Sequence, residues 1–243
     1  MTSVLLGSTL SALATGLGAL PILFMKNVTH KWRDILLAFA AGIMMAASLL
    51  SLIPESLASG NFIQLAIGIF LGVLVLTILE TNMPHIHVED ASKKIEIDQK
   101  AMLVVAAITL HNIPEGLSVG VSYAGGEEQL GNLVALAIGL QNAPEGFLVA
   151  LFLVNQNINR FVALGIATLT GAIEVVTALG GFALTNIFAS LVPYGLAFAA
   201  GAMLFIIYKE LIPESHGDGY ERQATYSFIV GILFMVLLIH YFE

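Results

Sequence analysis

Apolar residues fall in eight long runs, at about 4–25, 35–53, 62–80, 101–123, 131–154, 161–188, 193–213 and 224–242. A helix of ~20 residues at 1.5 Å rise crosses a ~30 Å hydrocarbon core, so runs of this length read as transmembrane helices. Transmembrane strands would instead appear as ~10-residue alternating segments, and these runs do not alternate. The pattern predicts an all-α, multi-pass membrane protein with eight spans and a single transmembrane domain over residues 1–243. The first run lacks the basic flank of a cleaved signal peptide and is read as the first span. The longest polar break, 81–100, predicts a loop that carries His85 and His87.

Two internal repeats organise these spans. Residues 39–56, FAAGIMMAASLLSLIPES, align without gaps to 198–215, FAAGAMLFIIYKELIPES, with ten identities in eighteen. Five crossings separate spans two and seven, so the two copies run in opposite directions through the bilayer. HNIPEG at 111–116 and QNAPEG at 141–146 form a second pair, on the adjacent and antiparallel spans four and five. Inverted repeats are the build of many secondary transporters, which bind substrate near the midplane at the repeat interface. Spans 1–3 and 6–8 are therefore expected to form an inverted pair around a central 4–5 hairpin, a 3+2+3 arrangement.

Composition agrees with a membrane solvent. The 243 residues are 58% hydrophobic and 11% charged, against about 25% charged in soluble domains; mean hydropathy is +0.91. The placement of the nine basic residues gives the topology. Lys26, Lys31 and Arg33 fall in the first loop, Lys93, Lys94 and Lys100 in the third, Arg160 in the fifth and Arg222 in the seventh, while Lys209 lies inside span seven. The even loops carry none. Basic residues near span ends mark the cytoplasmic side, so odd loops are expected inside the cell and both termini outside. Scattered basic residues in a chain of net charge −8 give no reason to expect a nucleic-acid partner. Without cysteine, disulfides and thiolate metal sites are excluded.

Against this apolar ground the polar residues of the central hairpin are costly. An ionised side chain at the bilayer centre costs ~2.5–3.5 kcal/mol. Glu115, Glu145 and Glu174 together therefore cost on the order of 8–10 kcal/mol unless something offsets them. His111, Asn112 and Glu115 share one helix face by their i, i+3 and i+4 spacing, as do Gln141, Asn142 and Glu145. Pro114 and Pro144 cannot donate and free the carbonyls of Leu110 and Leu140. Gly116 and Gly146 allow close backbone approach. One imidazole with several oxygens suits Zn²⁺, Fe²⁺, Mn²⁺ or Cd²⁺. When the site is empty, two facing carboxylates are expected to share a proton that an arriving metal expels. Glu210 adds an acid in span seven, and neighbouring Lys209 is expected to offset part of its cost.

These motifs resemble the ZIP (Zrt/Irt-like) divalent metal transporters, most of all the GufA-type branch. HNIPEG and QNAPEG resemble that family's fourth and fifth helices. TGLGALP in span one, FAAGIMMAAS in span two, GAIE in span six and ELIPESH in span seven extend the likeness over almost the whole chain. The resemblance implies eight helices in the 3+2+3 arrangement, uptake of metal toward the cytosol through the cell membrane, and a homodimer. By position it implies a primary site of His111, Glu115, Gln141 and Glu145, lined by Met45 and Ser51. It also implies a second site of Asn112, Asn142 and Glu174, bridged to the first by Glu115 and Glu145. The chain departs from the pattern in three places. Gln141 and Lys209 stand where many members or some relatives have His, and Asn142 stands where some have an acid. A lysine at 209 is expected to repel metal near the exit.

His85 and His87, with Glu80, Glu89 and Asp90 nearby, make a short tract of a kind that often binds metal. Together with Glu210, Glu214 and His216 they outline an expected exit route. His30 and His240, without partners close by in sequence, read as interfacial residues. Gly68 and Gly72 form a GxxxG packing face in span three. The expected function is secondary transport of Zn²⁺ or a similar divalent metal into the cytosol by alternating access. A divalent-cation channel or a metal sensor without transport are the alternatives. An enzyme is not expected: an intramembrane metalloprotease needs two His at i, i+4 as in HExxH, and HNIPE has one.

Overall fold

The structure is a computed structural model that describes residues 1–25, 29–82, 97–124 and 128–242, without the side chains of 82 and 97–104. His85 and His87 lie outside the described residues. The described chain forms helical segments α1 (Thr2–Leu23), α2 (His30–Ser59), α3 (Phe62–Asn82), α4 (Ile97–Ala124), α5 (Glu128–Asn155), α6 (Arg160–Ile187), α7 (Ala189–Glu214) and α8 (Glu221–Phe242). Among the described residues, α1, α2, α3, α5, α6, α7 and α8 are long and apolar enough to cross a membrane.

The surface is apolar where a bilayer would touch it. Phe62, Phe70, Phe161, Leu169 and Tyr226 stand exposed on the outside of the bundle, while Glu115, Gln141 and Glu174 are fully enclosed. This is the reverse of the soluble pattern, in which acids are almost never fully buried unless paired. Asn159 caps α6 by accepting from the backbone N–H of Phe161 at 2.9 Å.

The helices run unbroken through Pro114 and Pro144. Two other prolines deform theirs. The turns before Pro54 and Pro213 widen to π geometry, over Ser48–Leu52 in α2 and Ile207–Leu211 in α7. These segments fall on the same residues of the gapless 39–56 and 198–215 alignment, so the duplicated sequence is matched by a duplicated backbone irregularity. Packing follows the same exchange. α1 lies against α5 and α4 against α6, while α2 lies against α8 and α3 against α7. Swapping segments 1–3 with 6–8, and 4 with 5, turns each of these pairs into the other. Gly231 approaches the carbonyl of Phe39, and Gly72 approaches that of Phe198, the aligned partner of Phe39. The GxxxG face of α3 therefore packs within the chain, with Gly68 against Ala197 and Tyr194.

One end of the bundle carries Arg33 and Arg160. Arg33 pairs with Glu214 at 2.7 Å, and the Arg160 guanidinium donates to the Leu23 carbonyl at 3.0 Å. At the opposite end Ser3 donates to Glu128 at 2.8 Å, Ser56 to the Pro193 carbonyl at 2.8 Å, and Tyr123 to Asn132 at 2.7 Å.

Candidate metal site

Helical spacing turns the paired motifs of α4 and α5 toward each other, and small residues let the surrounding helices close. A Cβ on Gly116 would strike the backbone of Glu174 in α6, and one on Gly146 would strike the backbone of Thr15 in α1. The polar side chains between these helices divide into two groups.

In the first group, Gln141 Nε2 donates to Glu115 Oε1 at 2.6 Å, and both side chains are fully buried. The reverse amide orientation would set two acceptors against each other, so this bond fixes which way Gln141 faces. Glu115 Oε2 and Gln141 Oε1 are then left without any donor, and so is the buried Ser51 Oγ of α2. An unsatisfied buried acceptor costs ~1–3 kcal/mol, more when charged. Glu145 and His111 are half-buried beside them, close enough for the Glu145 charge to act on both Glu115 and His111. Met45 is half-buried and packs against the apolar core. His111 Nε2 is drawn to Glu210 Oε2, 2.8 Å away.

The second group centres on Glu174. Its two oxygens accept from Ser11 Oγ at 2.9 Å and Asn142 Nδ2 at 2.8 Å. The same Asn142 nitrogen reaches the Ser11 carbonyl at 3.2 Å, which leaves Asn142 Oδ1 unpartnered. Asn112 Nδ2 donates to the Thr170 carbonyl at 2.8 Å. The acid expected within the second site, Glu174, thus has both oxygens occupied by neutral donors.

Of the residues picked out in the sequence, Glu115 meets Gln141, Glu174 meets Asn142, and His111 meets Glu210. Among the described residues no three His, Asp or Glu side chains close around one point. His111 is turned toward Glu210, and amides stand where further acids or imidazoles would be needed. One expectation changes. Lys209 is not the partner that offsets Glu210: its Nζ reaches Glu80 Oε1 at 3.1 Å, and Glu210 is held on His111. His30 meets Asp218 Oδ2 at 2.9 Å, a partner distant in sequence.

Ser11 was not singled out in the sequence. The signal for it is modest: Ser8, Ser11 and Thr15 recur at helical spacing in an otherwise apolar span, and all three are buried.

Comparison with known proteins places the whole chain in a family. The family described as "ZIP Zinc transporter" matches residues 80–239. Zinc transporter GufA of Myxococcus xanthus is 38% identical over 98% of this chain and 98% of its own length. Zinc transporter ZIPB of Bordetella bronchiseptica is 37% identical, covering 96% of this chain and 79% of that protein. Zinc transporter ZupT of Corynebacterium glutamicum is 34% identical over 95% and 96% of the two chains.

Proposed function

The chain belongs to the ZIP zinc transporter family, and on that premise we propose that it carries Zn²⁺ across the cell membrane into the cytosol. Membership of a transporter family sets aside the enzyme reading. The observation that carries the proposal is the pair of buried acceptor oxygens without donors, Glu115 Oε2 and Gln141 Oε1. A cation is the partner that such lone pairs lack. In this reading Zn²⁺ sits between α4 and α5 on Glu115, Gln141 and Glu145, lined by Met45 and Ser51. His111 leaves Glu210 to offer its imidazole nitrogen. Glu210 then becomes the next oxygen on the way out, followed by the loop that carries His85 and His87.

The same reading makes α4 an eighth span, with segments 1–3 and 6–8 an inverted pair rocking about the 4–5 hairpin in alternating access. The basic end faces the cytosol and both termini lie outside. A homodimer belongs to the reading through the family resemblance. One ion per transport event fits this chain better than two, because Ser11 and Asn142 occupy the oxygens of Glu174. Cd²⁺, Fe²⁺ and Mn²⁺ suit the same donor types.

Uptake into proteoliposomes from an equimolar mixture of Zn, Cd, Mn, Fe(II), Co and Ni, read by elemental mass spectrometry, tests this beside a Glu145→Ala control. Zinc-selective, saturable accumulation that is lost in Glu145→Ala is expected. Accumulation equal in both proteins would overturn the assignment, and a single-channel current would replace the carrier with a pore.

A further inference from the structure

Outside the buried polar groups, an open groove of about 650 Å³ runs between α1 and α5. Its walls are leucines: Leu6, Leu10 and Leu17 of α1 and Leu136 of α5 stand exposed at its edges. The groove therefore opens on the apolar outer surface of the bundle, where acyl chains and not water lie against a membrane-spanning helix. Its floor is made of small residues, Ser11 and Ala14 on α1 and Gly139 and Ala143 on α5.

The other half of the fold puts larger side chains in the same place. The alignment that pairs residue 39 with 198 continues without a gap into α1 and α6, where it pairs Ser11 with Thr170. The hydrogen bonds obey that pairing: Asn142 Nδ2 reaches the Ser11 carbonyl at 3.2 Å, as Asn112 Nδ2 reaches that of Thr170 at 2.8 Å. Under the same exchange Ala14 corresponds to Ile173 of α6, and Gly139 and Ala143 of α5 correspond to Thr109 and Ile113 of α4. Three branched side chains thus stand where the α1–α5 groove has a methyl group or a hydrogen. Protein interiors are packed with few voids, and this trough is the space that such side chains would have taken.

The groove is polar at one end only. Thr2, Ser3, Glu128 and Asn132 line that end, and among the described lining residues Glu128 is the one that carries a charge. Ser3 donates to one Glu128 oxygen at 2.8 Å, and Tyr123 donates to Asn132 Oδ1 at 2.7 Å. A carboxylate has a second oxygen to offer, and the Asn132 amide has its N–H₂. From Leu6 to Leu17 the apolar part runs ~16 Å at helical rise, about half of a ~30 Å hydrocarbon core.

We propose that this groove is a phospholipid site, which seats one acyl chain between α1 and α5 and an ethanolamine headgroup at Glu128. The length fits one leaflet, and charge selects the head. An ammonium brings three donors to the Glu128 carboxylate, with the Thr2 hydroxyl and the Asn132 amide as donors for the phosphate. A lipid whose head is anionic only sets like charge against Glu128. The floor of the groove gives the lipid a purpose, because Ser11 Oγ donates to Glu174 Oε2 at 2.9 Å. The seated chain is thus the outer cover of a wall one side chain thick, and it keeps water from the Glu174 network. The proposal needs the bilayer, and it stands apart from the transport reading above.

The test uses the full chain in detergent, titrated with dioleoyl phosphatidylethanolamine or dioleoyl phosphatidylglycerol and read by native mass spectrometry. One phosphatidylethanolamine per chain is expected to bind more tightly than any further lipid, and more tightly than phosphatidylglycerol. Ala14→Ile, which copies the residue of the other half, is expected to weaken that first binding about tenfold. Gly139→Leu is expected to do the same should Ala14→Ile impair folding, since an added Cβ there meets nothing nearer than 3.4 Å. Glu128→Gln leaves the trough intact and is expected to reduce the preference for ethanolamine over glycerol roughly two- to fivefold. Phosphatidylethanolamine binding that neither filling variant changes would overturn the groove as the site. Equal affinity of the unaltered chain for the two lipids would overturn the assignment of the head. Because binding alone is read, these outcomes and the failure of zinc uptake are separate results.

Discussion

Replacing Glu115 with Gln separates a metal-binding role from a structural one. The substitution keeps the shape of a fully buried side chain and an oxygen for Gln141 to donate to, at the position now 2.6 Å away. It removes one charge and puts an amide N–H₂ where Oε2 now offers lone pairs. Two unit charges about 4 Å apart attract by ~4 kcal/mol at an effective dielectric of about 20, and a divalent ion doubles that figure. Burying the carboxylate takes back ~2.5–3.5 kcal/mol. The net loss is about 5 kcal/mol, so Zn²⁺ affinity falls by roughly 10³-fold or more.

Without metal, the same change relieves the protein of a buried charge, and its Tm holds or rises. If Glu115 served merely to join α4 to α5, the opposite pair of results would follow. Weakening a charge-assisted bond would cost roughly 1–2 kcal/mol, and the stabilisation by added Zn²⁺ would survive. Thermal unfolding in detergent with and without Zn²⁺, run beside vesicle uptake, distinguishes the two. A Glu115→Gln protein with a lowered Tm but an intact zinc-dependent shift and near-normal uptake would refute the reasoning.

Two further outcomes can be read from packing. Ser11→Ala strips one of the two donors from Glu174 and is expected to destabilise the protein by about 1.5–3 kcal/mol, seen as a lower Tm, while first-site zinc affinity stays within a few fold. Gly72→Ala and Gly231→Ala each drive a methyl into an equivalent backbone carbonyl, that of Phe198 or Phe39. Both should lose ~1–3 kcal/mol, by similar amounts in the same unfolding assay, and a large difference between them would count against equivalent packing in the two halves.

The helical frame was legible because apolar length and polar interruption are local properties. FAAG and LIPES recur at a constant offset, and the widened turns recur at the same offset. Which side chains would meet was another matter. Lys209 sits next to Glu210 in sequence, yet it reaches α3, because successive residues on a helix point in different directions. Glu80 lies on the facing helix and Glu210 turns inward to His111. His30 looked unpaired because Asp218 is far along the chain and comes near it through the packing of α2 on α8. Ser11 escaped notice because one serine in an apolar span signals nothing until Glu174 is brought opposite it. The π turns had a cue in Pro54 and Pro213, but Pro114 and Pro144 sit in regular helix, so proline alone does not predict the widening.

The two widened turns have one more consequence. Ser51 and Glu210 occupy equivalent places in them, since the alignment that pairs Ser48 with Ile207 pairs these two as well. The backbone device is the same in both halves, but one copy presents a neutral hydroxyl and the other a carboxylate. The architecture is therefore close to reversible, while its lining is not. On the transport reading proposed above, a cation that passes both turns meets a charge only at Glu210, and its direction is then a property of the side chains and not of the frame.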